Sequence, residues 1–448
     1  MPQRDGSFYR GNKDELVMDL KSCRVRPKKI LVQAINFAPE FIGCAKYTAE
    51  LAQYLVSRGH IVEVITAPPH YPGWSVWAPY RGFLYAKETL HSIKVYRCPI
   101  LAKGKGGGIW RLIAPLSFAL ASMPVVAWRI WRFRPEVVLC VEPTMFSVPT
   151  AIIAAKLVGT RCILHVQDLE VDAAFEVGHI RGEALRKFAT ATERSLLKKF
   201  DRIITISQGM RERLIAKGLD ATRITMVRNW VDTRTIRPIP RSEPNLFRLE
   251  LGINEMKFVA LYAGHIGAKQ GLDVIISAAR ELQFRDDIVF VIAGDGPLQE
   301  RLKESSAELL NISFLPLQPV DRLNELLSMA DLHVLPQQKW ASDLVLPSKL
   351  GGMLASGRPI VAAVDTGTEL FRILSDIALL VPAGDHVALA KAVCRAREEE
   401  LSSMVERGLM LADMLDATQL LPMFERELFE AAEDDSDVGT GLRVDVEL

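Results

Sequence analysis

The chain has 448 residues, of which 49% are apolar and 24% charged, with 55 Lys and Arg set against 54 Asp and Glu. That is the mix of a soluble globular protein with core enough for two domains. Six cysteines, at 23, 44, 98, 140, 162 and 394, show no C-x-x-C and no paired spacing, which excludes a disulfide framework and a zinc site and fits a reducing cytoplasm.

The near-neutral total hides an asymmetry. Residues 1–230 hold 34 Lys and Arg against 19 Asp and Glu, and residues 231–448 hold 21 against 35. A basic half faces something anionic, a lipid headgroup or a phosphate, or else two solvated surfaces of opposite sign attract each other across a cleft. No nucleic-acid motif accompanies the charge, so nucleic acid is not an expected partner.

Residues 1–28 form a polar extension without an apolar h-region, so no secretory signal is expected. At Lys29 "KILVQA" reads as a buried strand, "CAKYTAELAQYLVSRG" as a helix with Tyr47, Leu51, Tyr54 and Leu55 on one face, and "IVEVIT" as the next strand. The alternation continues through "EVVLCV", a helix over 147–158, "RCILHV", a helix over 182–199, "RIITIS" and "RITMVRN". It restarts after "RPIPRSEPN" with "KFVALYAG", "DIVFVIAGDG", "ISFLPL", "DLHVLPQ" and "PIVAAV". The expectation is α/β: two doubly wound parallel-sheet (Rossmann-like) domains, over 29–235 and 236–400, facing a central cleft. Helices over 401–431 pack on either domain, and an acidic tail follows over 432–448.

One segment breaks the rhythm. Residues 112–128 carry no charge, and residues 101–135 hold six basic residues, no acidic ones and three tryptophans. With Pro115 and Pro124 inside, the segment falls short of a span, which needs about 20 apolar residues. It reads as an interfacial helix pair on an anionic bilayer, with Trp110, Arg111, Trp128, Arg129, Trp131 and Arg132 on the membrane or acceptor side. The alternative is an ordinary buried helix of the first domain.

Glycines at strand-to-loop junctions allow close approach to an anion, or simply make turns. Three junctions qualify: Gly43 opening the first helix, Gly264 and Gly267 with His265 and Lys269 in "AGHIGAKQGLD", and Gly294 in "AGDGPLQ". In "SDLVLPSKLGGMLASGRP", Pro347 in a first helical turn places Ser348 and Lys349 at a helix start, where a hydroxyl, an ammonium and N–H groups can meet a pyrophosphate. Lys349 alone also reads as a surface lysine. In "HVQDLEVDAAF", Asp168 falls at a strand end, where a carboxylate can orient a sugar hydroxyl or accept a proton, while Asp172 serves as a helix cap. No convincing metal-ligand set occurs.

Taken together, "ILVQAINFAPEFIGCAKYTAELAQYLVSRGHIVEVITAPPHYP", "VEPTMF", "LHVQDLEVDA", "RNWVD", "AGHIGAKQGLD", "FLPLQP" and "VLPSKLGGMLASG" resemble the retaining GT-B glycosyltransferases of family 4, most of all their colanic acid branch. The resemblance covers roughly residues 30–370. It implies transfer of a sugar from a nucleotide diphosphate donor with anomeric retention and no metal, the donor in the second domain and the acceptor in the first. For this branch it implies GDP-fucose, or another GDP- or UDP-sugar, and a polyprenyl-diphosphate-linked saccharide at the cytoplasmic face of the inner membrane. Carried across by position, Gly43 approaches the donor phosphate, Lys269 and Lys349 hold the diphosphate, and Asp168 contacts the donor sugar. His265 stands where many relatives place arginine. Two glutamates eight apart in many relatives are Leu344 and Gly352 here, with Asp343 next door as a substitute. That departure keeps two alternatives open, a non-catalytic homologue scaffolding a polysaccharide assembly complex and a nucleotide-sugar epimerase.

Overall fold

A computed structural model describes residues 26–430 apart from 42, 72, 83, 105–107, 144, 170–182 and 340–346. The polar extension up to Cys23, Glu170, Asp172, Asp343, Leu344 and the acidic tail lie outside the described residues.

The first sheet is built from β1 (Lys29–Gln33), β2 (Ile61–Thr66), β3 (Ala86–Leu90), β4 (Ile93–Arg97), β5 (Val137–Glu142), β6 (Arg161–Val166), β7 (Arg202–Thr205) and β8 (Ile224–Met226). Their spatial order is β3-β4-β2-β1-β5-β6-β7-β8, and only β3 runs antiparallel to its neighbour. The second sheet, wholly parallel, holds β9 (Phe258–Ala263), β10 (Ile288–Ala293), β11 (Ile312–Leu315), β12 (Leu332–Pro336), β13 (Ile360–Ala363) and β14 (Leu379–Val381) in the order β11-β10-β9-β12-β13-β14. Such strands are covered on both faces, which is why they read as continuous apolar runs. Strand order reverses between β1 and β5 and between β9 and β12, and ligands of open α/β sheets bind beyond the strand ends at these reversals.

In the first domain, α1 (Cys44–Ser57) covers one face of the sheet, while α2 (Gly108–Phe133), α3 (Val148–Val158), α4 (Glu183–Leu197) and α5 (Gln208–Ala216) cover the other. Helices α6 (Asp273–Glu281), α7 (Leu350–Ala355), α8 (Glu369–Leu374), α9 (His386–Glu398) and α10 (Ser402–Met414) enclose the second sheet. The closing helix α11 (Ala417–Phe429) returns to the first domain, burying Leu421, Phe424 and Leu428 beside Leu51 and Leu55 of α1. The final helical stretch is thus divided between the two domains.

The two passages between sheets run side by side. Val231 N–H donates to the Leu415 carbonyl at 3.0 Å and Ala417 N–H to the Val231 carbonyl at 2.9 Å. Asp416 seals the crossing by accepting from Thr233 N–H at 3.0 Å, the Thr233 hydroxyl at 2.7 Å and Thr418 N–H at 2.7 Å. Burial pushes its carboxyl up, but hydrogen bonds from Thr418 and Thr233 outweigh this and hold it at about 2. Farther along α11, Glu425 accepts from the Tyr54 hydroxyl at 2.8 Å and lies 2.8 Å from His60 Nε2. His60 Nδ1 takes the Lys28 N–H at 3.2 Å, which leaves the ring proton on Nε2 for Glu425.

The uncharged segment is one continuous helix, α2, and not a helix pair, with Pro115 and Pro124 both inside it. The Tyr85 hydroxyl donates to the Ala121 carbonyl at 3.0 Å, in the turn that Pro124 disturbs. Ala114, Phe118, Ser122, Val126 and Ile130 form its buried stripe. Arg129 falls on that inner side, 8% exposed, with Nε 2.8 Å from Glu63 Oε2 on β2. Its expected place on the membrane side is therefore corrected: a carboxylate buried in a central strand requires a cation, and the helix supplies it inward. With Glu63 left only Lys94 at 3.9 Å, Arg129→Ala is expected to lower the unfolding free energy in urea by ~3–5 kcal/mol; a loss below ~1 kcal/mol would mean that the pair is effectively solvated.

Candidate active site

Two loops meet beyond the strand ends of the second sheet. Gly264 and Gly294 both take φ +147, and a Cβ on Gly294 would lie 1.8 Å from the Gly264 carbonyl oxygen. Only hydrogen fits there. The loops are laced by Gly264 N–H to the Ala293 carbonyl and Ile266 N–H to the Asp295 carbonyl, each at 2.9 Å. These amides therefore serve loop packing.

The ammonium of Lys349 projects against this backbone: a Cβ on Gly264 would lie 3.5 Å from Nζ and 3.4 Å from Cδ. Nζ sits 3.8 Å from the centroid of the Tyr262 ring at the end of β9. It is buried and has no hydrogen-bond partner among the described residues. Burial pushes Lys349 down to about 7. The Tyr262 hydroxyl donates to the His265 carbonyl at 2.6 Å, which fixes the loop that Lys349 faces. Lys349 is the N-cap of α7, a helix of six residues. The neighbouring Ser348 is exposed, and its carbonyl accepts the Tyr47 hydroxyl of α1 at 3.1 Å, joining the domains beside the site. Gly351 and Gly352 face protein: a Cβ would lie 3.1 Å from Val231 Cβ and 3.3 Å from Leu327 Cδ1, respectively. They are close-packed positions, with protein and not open space beside each Cα.

Across the cleft, Asp168 Oδ2 at the end of β6 meets Lys269 Nζ at 3.3 Å, each side chain about one-third exposed. Asp168 Oδ1 is buried with no donor among the described residues. Near it lies Cys44, which follows Gly43 at the start of α1; burial pushes the thiol up to about 12, with Glu40 and Asp168 adding to the shift. That thiol stays protonated. Glu40 is buried and accepts from His70 N–H at 2.6 Å, Tyr71 N–H at 2.7 Å and Asn36 Nδ2 at 2.9 Å. It pins the loop that brings the Tyr71 ring within 6.1 Å of the His265 ring in the second domain.

The structure thus brings Gly264, His265, Gly294 and Lys349 together, and pairs Lys269 with Asp168 close to Gly43. Gly267 packs behind them, where a Cβ would strike the His265 ring at 2.8 Å. His165, three residues before Asp168, points into the core against Phe424, and burial pushes it down to about 3. Trp110, Arg111, Trp128, Trp131 and Arg132 belong to α2; Trp110 lies 5.3 Å from Lys103 Nζ, while Trp128, Trp131 and Arg132 are exposed. Tyr262, Tyr47 and Glu40 are contributors that motif spacing does not single out. The signal for Tyr262 is a phenol ending an aliphatic strand, whose hydroxyl must find a partner. Among the described residues no three His, Cys, Asp or Glu side chains cluster to hold a metal ion.

Residues 43–230 match the Glycosyl transferase 4-like domain and residues 245–407 match Glycosyl transferases group 1. Over 349 residues, 76% of this chain and 84% of the relative, the sequence is 39% identical to a protein named as a colanic acid biosynthesis glycosyl transferase, WcaI, of Escherichia coli (strain K12). The chain belongs to the family 4 glycosyltransferases. Its fold is GT-B. Sucrose-phosphate synthase from Thermosynechococcus elongatus superposes at TM-score 0.70 and 14% identity, covering 89% of this chain and 98% of that one. Anabaena HepE, solved in complex with UDP and glucose, superposes at 0.65 and 16% identity, covering 90% and 99%.

The Asp168–Lys269 pair reaches across the cleft, so an anion bound at that ammonium would compete with Asp168 for it. Asp168→Asn is expected to tighten binding of a nucleoside diphosphate by up to about fivefold, since a pair one-third exposed contributes ~0–1 kcal/mol. The same change is expected to slow sugar transfer by at least about tenfold through lost positioning. Calorimetric titration and a transfer assay on one preparation check both signs.

Proposed function

We propose that this glycosyltransferase moves a sugar from a nucleoside diphosphate donor to a lipid-linked saccharide in exopolysaccharide assembly of the colanic acid type, with GDP-fucose as the first donor to test. The observation that carries the reading is the Lys349 ammonium, buried with no acceptor among the described residues. A buried, unpaired cation is costly, and an anion brought by substrate resolves it. As the anomeric carbon bonds to the acceptor oxygen, its bond to the β-phosphate oxygen breaks, the electron pair and growing charge pass to the departing diphosphate, and the proton of the acceptor hydroxyl is taken up by that phosphate oxygen. Lys349 and Lys269 stabilise that charge without a metal, and Asp168 orients the sugar. Retention of anomeric configuration belongs to this reading. The name of the Escherichia coli relative supports the pathway, and the UDP and glucose in the HepE structure support a nucleotide-sugar donor.

A panel of GDP-, UDP- and ADP-sugars in a thermal-shift screen identifies the donor, because a ligand selective for the folded state raises its melting temperature. Lys349→Ala is expected to weaken the stabilising nucleotide by about ten- to a hundredfold, the range of one charge-assisted contact. Unchanged affinity and turnover in that variant would refute the phosphate assignment.

The acceptor side of the proposal is a peripheral association with an anionic membrane surface. Helix α2 is long and apolar enough to span a bilayer, but 44% of its most apolar window is buried inside the protein. Its outer face exposes Leu116, Leu120, Met123, Trp128 and Trp131, continued on α3 by Ile153 and by Leu157 at 82% exposure. Arg132, Arg134 and Lys156 border that face, all exposed. Apolar and aromatic side chains rimmed by cations suit the interface of an anionic leaflet. Flotation with phosphatidylglycerol vesicles is expected to retain the protein, to weaken as salt is raised, and to fail for the double variant Leu120→Glu, Leu157→Glu. Equal recovery on neutral phosphatidylcholine vesicles would count against the basic rim.

A further inference from the structure

We infer that Tyr262 is a positioning residue of the donor site, its ring holding the Lys349 ammonium in place and its hydroxyl fixing the loop opposite. The inference rests on the proposed role of Lys349 toward a diphosphate and assigns a task to a residue that touches no substrate itself. Tyr262 is fully buried. Its ring lies 3.8 Å from Nζ, the contact expected of a cation on an aromatic face. Its hydroxyl donates at 2.6 Å to His265, whose loop carries Gly264, the glycine against which the lysine stem lies. One side chain therefore sets the distance between the ammonium and the loop.

Among the described residues, the surroundings leave the ring as the main support for the charge. From α1 the Tyr47 hydroxyl is directed to the Ser348 carbonyl. Lys269 and Asp168 are paired with each other. His265 faces Tyr71. Behind α7 come Val231 and Leu327, both apolar. Burial alone displaces the lysine, down to about 7. An anion that pairs with the ammonium restores its charge, so binding above neutral pH must take up a proton. The sign follows from linkage: the amine is protonated before binding at low pH and affinity is then flat. At higher pH affinity falls about tenfold per unit until the pKa of the bound complex is passed.

The test is calorimetric titration of GDP, or of whichever nucleoside diphosphate the thermal-shift panel selects, between about pH 5 and 9.5 in buffers of different ionisation enthalpy. The wild type is expected to show affinity falling above its midpoint, with proton uptake. Tyr262→Phe keeps the ring, so its midpoint should stay while affinity drops severalfold through the lost loop hydrogen bond. Tyr262→Leu removes the ring, so its midpoint should move down by about one pH unit. A purely structural tyrosine would weaken binding at every pH without moving the midpoint, and an unmoved or raised midpoint in Tyr262→Leu overturns the inference. Should that variant fail to fold, fluorinated phenylalanines at position 262 keep the shape while weakening the ring face; the midpoint should fall with each added fluorine, and a constant midpoint overturns the inference equally. Lys349→Ala separates the two readings: if it binds the nucleotide like the wild type, the diphosphate assignment itself is wrong. If it loses affinity while the Tyr262 variants keep the wild-type midpoint, only the role of Tyr262 fails.

Discussion

Two strands of chain cross between the sheets, and everything the cleft does depends on their being held together. Val231 and Ala417 are hydrogen-bonded neighbours although far apart in sequence, and Asp416 gathers Thr233 and Thr418 around the crossing. Because α11 continues from this point onto the first sheet, the end of the chain completes the core of the first domain. The strand ends of both sheets consequently face one space. A second tie lies beside it, where Glu369 at the start of α8 accepts Gln208 N–H at 3.1 Å and Gly209 N–H at 2.8 Å from α5 and pairs with Arg228 at 2.9 Å. Acidic groups at helix starts and beside arginine are well suited to such a junction.

Within that space the electrostatics are uneven. Lys269 already has Asp168, whereas the ammonium of Lys349 has a ring and glycine backbone. The first pair sits at a third of full exposure and exchanges partners at little cost, while the second cation is strongly desolvated. The uneven charge of the two halves is less informative than this local contrast, because most surface charges are screened over about 8 Å at physiological salt.

Much of the fold was legible because parallel strands covered on both faces announce themselves as apolar runs. The β3–β4 hairpin was not, since His91 and Ser92 take positive φ at its turn with neither glycine nor asparagine to mark it. Strand β14 has three residues and falls below any periodic signal. Prolines argued for a break in α2, yet the helix runs unbroken through both, from Gly108 to Phe133. Arg129 was misplaced because its partner, Glu63, lies 66 residues earlier in a central strand, and spacing within a helix carries no record of such a partner. At the site, motif resemblance located Lys349, Lys269 and Asp168. Which cation would be solitary depended on packing: the Tyr262 ring and the Asp168 carboxylate reach their lysines only through the tertiary fold.

The backbone contact between Gly264 and Gly294 has a bearing on how such a protein can diverge. Even a methyl group at position 294 would wedge the two loops apart and carry the lysine's resting place with it, so the position of that ammonium is locked by the absence of side chains. The rim has no such lock: the Tyr71 and His265 side chains lie outside that backbone seam, and the steric argument places no comparable restriction on them.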